Sequence, residues 1–235
     1  VHGESGVGKS WLGDTCPGPR LLIDVEGRAE YTKSRKIYWD PRSEPVPAAF
    51  PDGSPIDTDT TVVVTVRDYP AFVQVYSWLA SGQHYFRSVI IDSLSELQQR
   101  CMDSITGTEQ ARQNDWGELL RKMDHTVREY KDLRTHPTNP IDVLLFVSGT
   151  QMRDGMFRPM LQGSISNRLA YHFDLVGFLQ TQYDPQLNTL TRVMAIQPIG
   201  PFVAKDNTDI LSQRYGVQIQ TPNLDEILQV LNQGA

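Results

Sequence analysis

Short apolar runs bounded by breakers alternate along this chain with longer amphipathic stretches. Arg20–Val25 (RLLIDV), Thr61–Val66 (TVVVTV), Ser88–Asp92 (SVIID) and Asp142–Ser148 (DVLLFVS) are nearly continuous apolar runs of strand length. Such runs predict strands buried on both faces of a parallel sheet. Between them, Tyr69–Ala80 predicts a helix with Phe72, Val73, Tyr76 and Leu79 on one face. Trp116, Leu119, Leu120, Met123, Val127 and Tyr130 recur at helical spacing and predict a longer one. Ser93 and Glu96 form a capping-box signature that opens the helix after SVIID. Strands are expected near Leu175–Gln182 and Thr191–Gln197, then a terminal helix with Thr221 as N-cap and Pro222 in its first turn, ending near Gln233. This alternation predicts an α/β fold: a mainly parallel central sheet flanked by helices, with an antiparallel C-terminal extension, in one domain over residues 1–235.

Three stretches interrupt the pattern. Pro41, Pro45, Pro47, Pro51 and Pro55 make 37–60 an irregular excursion. A lid, an oligomer contact or an insertion all suit it. Residues 103–114 (DSITGTEQARQN) and 152–168 (MRDGMFRPMLQGSISNR) are polar, glycine-containing and read as loops. No apolar run approaches the roughly 20 residues of a membrane span, so no membrane partner and a cytoplasmic setting are expected. Cys16 and Cys101 stand apart from any CxxC pair, which argues against zinc or a disulfide framework. The net charge of −6 argues against coating nucleic acid through bulk charge but leaves room for a local basic groove.

The chemistry concentrates near the start. Gly3-Glu4-Ser5-Gly6-Val7-Gly8-Lys9-Ser10 reads GxxxxGKS, a phosphate-binding loop. Its glycines let successive backbone N–H groups turn inward on phosphate oxygens. Lys9 is expected to reach the terminal phosphates and Ser10 to ligate Mg²⁺. Only Val1 and His2 precede Gly3, although a buried strand is expected to lead into such a loop. The helix after it is expected to be short, because Gly13, Pro17 and Pro19 stop it within about two turns. RLLIDV delivers Asp24 and Glu26 to its C-terminal end, the edge where ligands sit in such sheets. Glu26 is the candidate to orient an attacking water, with Asp24 next in line. SVIID ends in Asp92, placed to hold Mg²⁺ through its water shell. Ser93 reads as a cap rather than a catalyst. Gln151, closing the last core strand, is a candidate γ-phosphate sensor. In the second loop Arg153, Arg158 and Arg168 surround Phe157, a mixture that suits single-stranded nucleic acid as well as it suits a solvated loop with an apolar anchor. The first loop is less basic, since Asp103 and Glu109 outweigh Arg112.

The order of phosphate loop, IDVE, SVIID, polar loop, long helix and a strand ending in TQ resembles the RecA-type ATPase core. TQMRDGMF (Thr150–Phe157) resembles the start of RecA's second DNA-binding loop. The chain is most similar to small phage-encoded RecA-like proteins that anneal single strands, through ID-x-E-G, YHFDLVGFL (Tyr171–Leu179), AKD (Ala204–Asp206) and PNL-x-EIL (Pro222–Leu228). The resemblance implies a RecA-like P-loop NTPase core that binds ATP and Mg²⁺ and hydrolyses ATP under stimulation by DNA. It implies catalytic roles for Lys9, Glu26, Asp92 and Gln151. Nucleotide would be bound by Gly3, Glu4, Ser5, Gly6, Val7, Gly8, Lys9, Ser10 and Trp11, with the metal on Ser10 and Asp92. Arg112, Arg153, Phe157, Arg158 and Arg168 would contact DNA, and Lys205 would reach a neighbour's nucleotide. Implied partners are single-stranded DNA, further copies in a filament or ring, and a single-strand-binding protein. Two other readings share the motifs: a ring-forming helicase-type or regulatory ATPase, and a DNA-binding module that keeps ATP as a structural ligand.

Overall fold

The computed structural model describes residues 1–186 and 188–234. The first part of the chain runs α1 (Lys9–Asp14), β1 (Arg20–Asp24), β2 (Arg35–Tyr38), β3 (Thr60–Thr65), α2 (Tyr69–Leu79), β4 (Ser88–Asp92), α3 (Leu94–Thr106), α4 (Gln113–Asp132) and β5 (Val143–Val147). Its five strands form a parallel sheet in the order β2-β3-β1-β4-β5. Alternation along each strand sorts the apolar side chains into two cores. Leu21, Ile23, Val62, Val64, Val89 and Ile91 face α2, α3 and α4. Leu22, Val63, Ile90, Leu145 and Val147 face the other way, against Leu12 of α1 and the C-terminal helices. Apolar demand on both faces is why these strands read as unbroken hydrophobic runs.

The second part runs β6 (Thr150–Arg153), β7 (Met156–Pro159), α5 (Ile165–His172), β8 (Leu175–Val176), β9 (Phe178–Asp184), β10 (Thr189–Ala195), β11 (Lys205–Asp206), α6 (Ile210–Tyr215), β12 (Gln218–Gln220) and α7 (Leu224–Gln233). β9, β10 and β12 form the expected antiparallel extension. The two sheets meet at His2, which bridges in parallel to Ser148 just past β5 and to Phe178 on β9. The segment entering the phosphate loop is thus separated from β4, which carries Asp92, by one strand.

Several expectations change. β2, at the sheet edge, runs into the first two residues of the expected excursion. Two aromatics anchor the rest of the excursion, which is otherwise mostly exposed: Trp39 is buried edge-on to Trp78, and Phe50 is buried beneath the Arg35 guanidinium. The buried face of α2 is Tyr69, Phe72, Val75 and Leu79, and Val73 points outward. The first polar loop shrinks to 107–112, because α3 runs to Thr106 and α4 begins at Gln113. α4 buries Leu119, Met123, Thr126, Val127 and Tyr130 but leaves Trp116 partly exposed. α7 is capped by Asn223, whose side chain accepts from Asp225 and Glu226 N–H, rather than by Thr221. Both cysteines are buried and free.

Candidate functional site

The phosphate loop bends where only glycine fits. Gly8 sits at φ 97°, and a Cβ there would stand 2.2 Å from Arg192 Nε. A Cβ on Gly3 would lie 2.4 Å from the Leu179 carbonyl oxygen. The loop is therefore pressed against β9 and β10 and held open toward solvent. Lys9 folds back across it and donates from Nζ to the Gly3 carbonyl at 2.9 Å and the Glu4 carbonyl at 2.6 Å. Burial lowers the Lys9 pKa, and Asp92 and Glu26 pull it back up. α1 has only six residues, so the loop's own N–H groups carry most of the anion affinity.

Parallel register sets Asp24 beside Asp92, and both strands end at the loop. Ser10 Oγ donates to Asp92 Oδ2 at 2.6 Å. Burial pushes the Asp92 carboxyl up to about 6, opposed by that hydrogen bond; a divalent cation beside it would favour the charged form. Ser10 and Asp92 supply the hard oxygens that magnesium takes, so the residues present fit the ion. Among the described residues no three His, Cys, Asp or Glu side chains group to hold a metal alone, in keeping with an ion that keeps waters and phosphate oxygens as ligands.

The two carboxylates after β1 separate cleanly. Asp24 is buried and accepts from the N–H groups of Gly27, Arg28 and Ala29 at 2.8, 3.1 and 3.1 Å. Its oxygens are spent on the turn. Glu26 is partly open; it accepts from Ser93 Oγ at 2.5 Å, and Arg28 stands 3.5 Å from its other oxygen. Ser93 also caps α3 through Glu96 N–H at 3.3 Å. It is both cap and orienter of Glu26, a role its capping signature concealed.

A family model described as an AAA domain matches residues 1–208. The chain belongs to this family. A search of curated proteins finds no match. The family is one of P-loop ATPases, a class that binds nucleotide, usually with Mg²⁺. No helix among its described residues is long and apolar enough to cross a membrane.

Beside the nucleotide site, the AAA domain carries a hairpin in place of the expected second loop. β6 and β7 pair antiparallel across Asp154 and Gly155, both at positive φ. The Asp-Gly pair is the sequence signal for such a turn, and it lies unused inside MRDGMF. Arg153 is exposed at the hairpin end, near Asp154 at 3.9 Å, and Arg158 is half-buried on β7. Phe157 does not offer its ring to a base. It is half-buried and stacked on Phe178 at 5.9 Å, in a cluster with Phe202. Met152 is the exposed apolar side chain there. Gln151 points its amide at the Leu161 carbonyl, 2.9 Å away, bracing the hairpin base. Arg112 stands at the start of α4, paired with Glu109 at 3.2 Å, and Arg168 is exposed on α5. Lys205 lies on β11 against β8.

His2 was invisible to pattern reading. It is buried, with Nε2 donating to the Val203 carbonyl at 2.7 Å; Nδ1 lies 3.2 Å from Thr150 Oγ1, whose one proton is shared between Nδ1 and the Arg158 carbonyl 3.1 Å away. The residue before the phosphate loop thereby touches the first residue of the hairpin.

Proposed function

We propose that this AAA domain is an ATPase whose nucleotide state controls binding of single-stranded DNA, for annealing or strand exchange in phage recombination. The observation that carries the reading is the His2–Thr150 hydrogen bond, which links the phosphate loop to the root of the hairpin bearing Arg153 and Arg158. A loop that shifts on nucleotide has a direct path to that hairpin. The exposed Arg153 suits the phosphates of a single strand, and the resemblance to phage-encoded annealing proteins supplies the biological setting. Lys9 pairs with the terminal phosphates, Ser10 and Asp92 hold magnesium, and Glu26 orients the attacking water. Lys205 acts on a neighbour's nucleotide if copies assemble into a filament or ring.

The test is fluorescence-anisotropy titration of an oligonucleotide with ATP, ADP and no nucleotide, alongside hydrolysis with and without the oligonucleotide. Tighter binding with ATP and DNA-stimulated turnover are expected. Equal affinity in all three states would overturn the coupling. The inward packing of Phe157 favours a second reading, a regulatory ATPase whose hairpin engages protein; hydrolysis indifferent to DNA would select it.

A further inference from the structure

The two flanks of the phosphate loop carry different chemistry. On the β1–β4 flank stand Glu26 and Asp92. On the opposite flank Arg192 rises from β10, where it pairs across from Thr181 on β9. Its Nε donates to the Val7 carbonyl at 3.2 Å, and its guanidinium lies over the Trp11 ring, 4.5 Å from the centroid. Both side chains are only half-buried. Among the described residues Nε is the one Arg192 side-chain nitrogen engaged in a hydrogen bond. Holding up the loop does not by itself require a planar cation laid over an indole.

A polyphosphate cradled by the loop with its terminal group toward Glu26 and Asp92 leads its other end toward the opposite flank. We propose that Trp11 and Arg192 form the nucleoside end of the site, and that a purine base stacks on this guanidinium–indole pair. Stacked π systems bind bases through their faces, and guanidinium is weakly hydrated and stacks readily on aromatic planes. Recognition by faces favours purines over pyrimidines through contact area. The inference rests on the nucleotide reading above and adds to it the residues that hold the base.

The test separates base from phosphate. Magnesium complexes of ATP, CTP and inorganic tripolyphosphate are titrated calorimetrically into the wild-type chain and Arg192→Ala. The wild type is expected to bind ATP about tenfold tighter than tripolyphosphate, and Arg192→Ala to lose most of that advantage while holding tripolyphosphate within about twofold. Equal losses for both ligands would mean that Arg192 only props the loop, and would overturn the inference while leaving the phosphate site standing. A wild type that binds neither ligand would overturn the nucleotide reading itself. Trp11→Phe gives an independent readout if Arg192→Ala fails to fold. ATP, but not tripolyphosphate, should quench tryptophan fluorescence in the wild type, and that quench should vanish in Trp11→Phe. A quench that persists undiminished in Trp11→Phe would place the base elsewhere.

Discussion

Ser93 Oγ donates to Glu26 Oε1 at 2.5 Å, joining the first residue after β4 to the second residue after β1. The bond fixes the direction in which Glu26 presents its free lone pairs. If Glu26 positions water, its work falls in the transition state, so Glu26→Gln should bind Mg·ATP normally and hydrolyse it at least about a hundredfold more slowly. Ser93→Ala should lower kcat by roughly tenfold with KM nearly unchanged, and lose about 1 kcal/mol of stability from the missing cap. Single-turnover hydrolysis and nucleotide binding measured side by side check both. Normal turnover in Glu26→Gln would make the carboxylate a bystander.

Lys9 and Asp92 should fail differently. Lys9→Ala removes the cation of the phosphate loop, so nucleotide binding should drop by about a hundredfold or more while the fold persists. Asp92→Asn should weaken binding only when magnesium is present. Titrations with and without EDTA distinguish them, and equal loss in Asp92→Asn under both conditions would remove the metal role.

His2 gives the fold a pH signature. Burial, chiefly, holds its pKa at about 4, against about 6.5 in an unfolded chain. Between those values the unfolded chain binds the extra proton, so stability rises with pH across the window and is lost as pH falls from 6.5 toward 4. The full effect is on the order of 3 kcal/mol. His84, also held to about 4 by burial, acts in the same direction. His2→Gln should therefore lose less stability on acidification than the wild type does. Urea denaturation at pH 7 and pH 4.5 measures this, and identical losses would contradict it.

At the hairpin, Arg153→Ala should weaken oligonucleotide binding and flatten its salt dependence by roughly one unit of slope. Phe157→Ala should instead cost about 2 kcal/mol of stability, because its ring packs on Phe178. Gln151→Ala should keep ATP affinity but loosen the hairpin base and blunt the ATP dependence of DNA binding. Salt-series anisotropy and thermal melts on the same samples decide; an unchanged melt for Phe157→Ala would mean its packing contributes nothing.

The parallel sheet was legible because strands buried on two faces must be apolar throughout, and RLLID, SVIID and VLLFV have no other stable use. The phosphate loop was legible because only glycine permits its backbone. The rest required partners far apart in sequence. Asp24 and Glu26 look equivalent until the turn at 27–29 claims one of them. Val73 and Trp116 keep helical spacing but lie at the margins of their buried faces. His2 and Thr150 are 148 positions apart, and no local pattern announces such a contact. Phe157 among arginines suited a base platform and an apolar anchor equally; its packing depends on Phe178, on a different strand.

The knot of three amides around Asp24 has a kinetic consequence. Segments that order only when ligand arrives spend part of the binding energy on lost conformational freedom. Residues 27–29 are already tied down, so the arm that presents Glu26 should be as ordered in the resting protein as in the working one. Its amides at Gly27, Arg28 and Ala29 should exchange slowly with deuterium whether or not nucleotide is bound. Slow pre-steady-state phases of this protein would then report the hairpin and the loop, not the delivery of the Glu26 carboxylate.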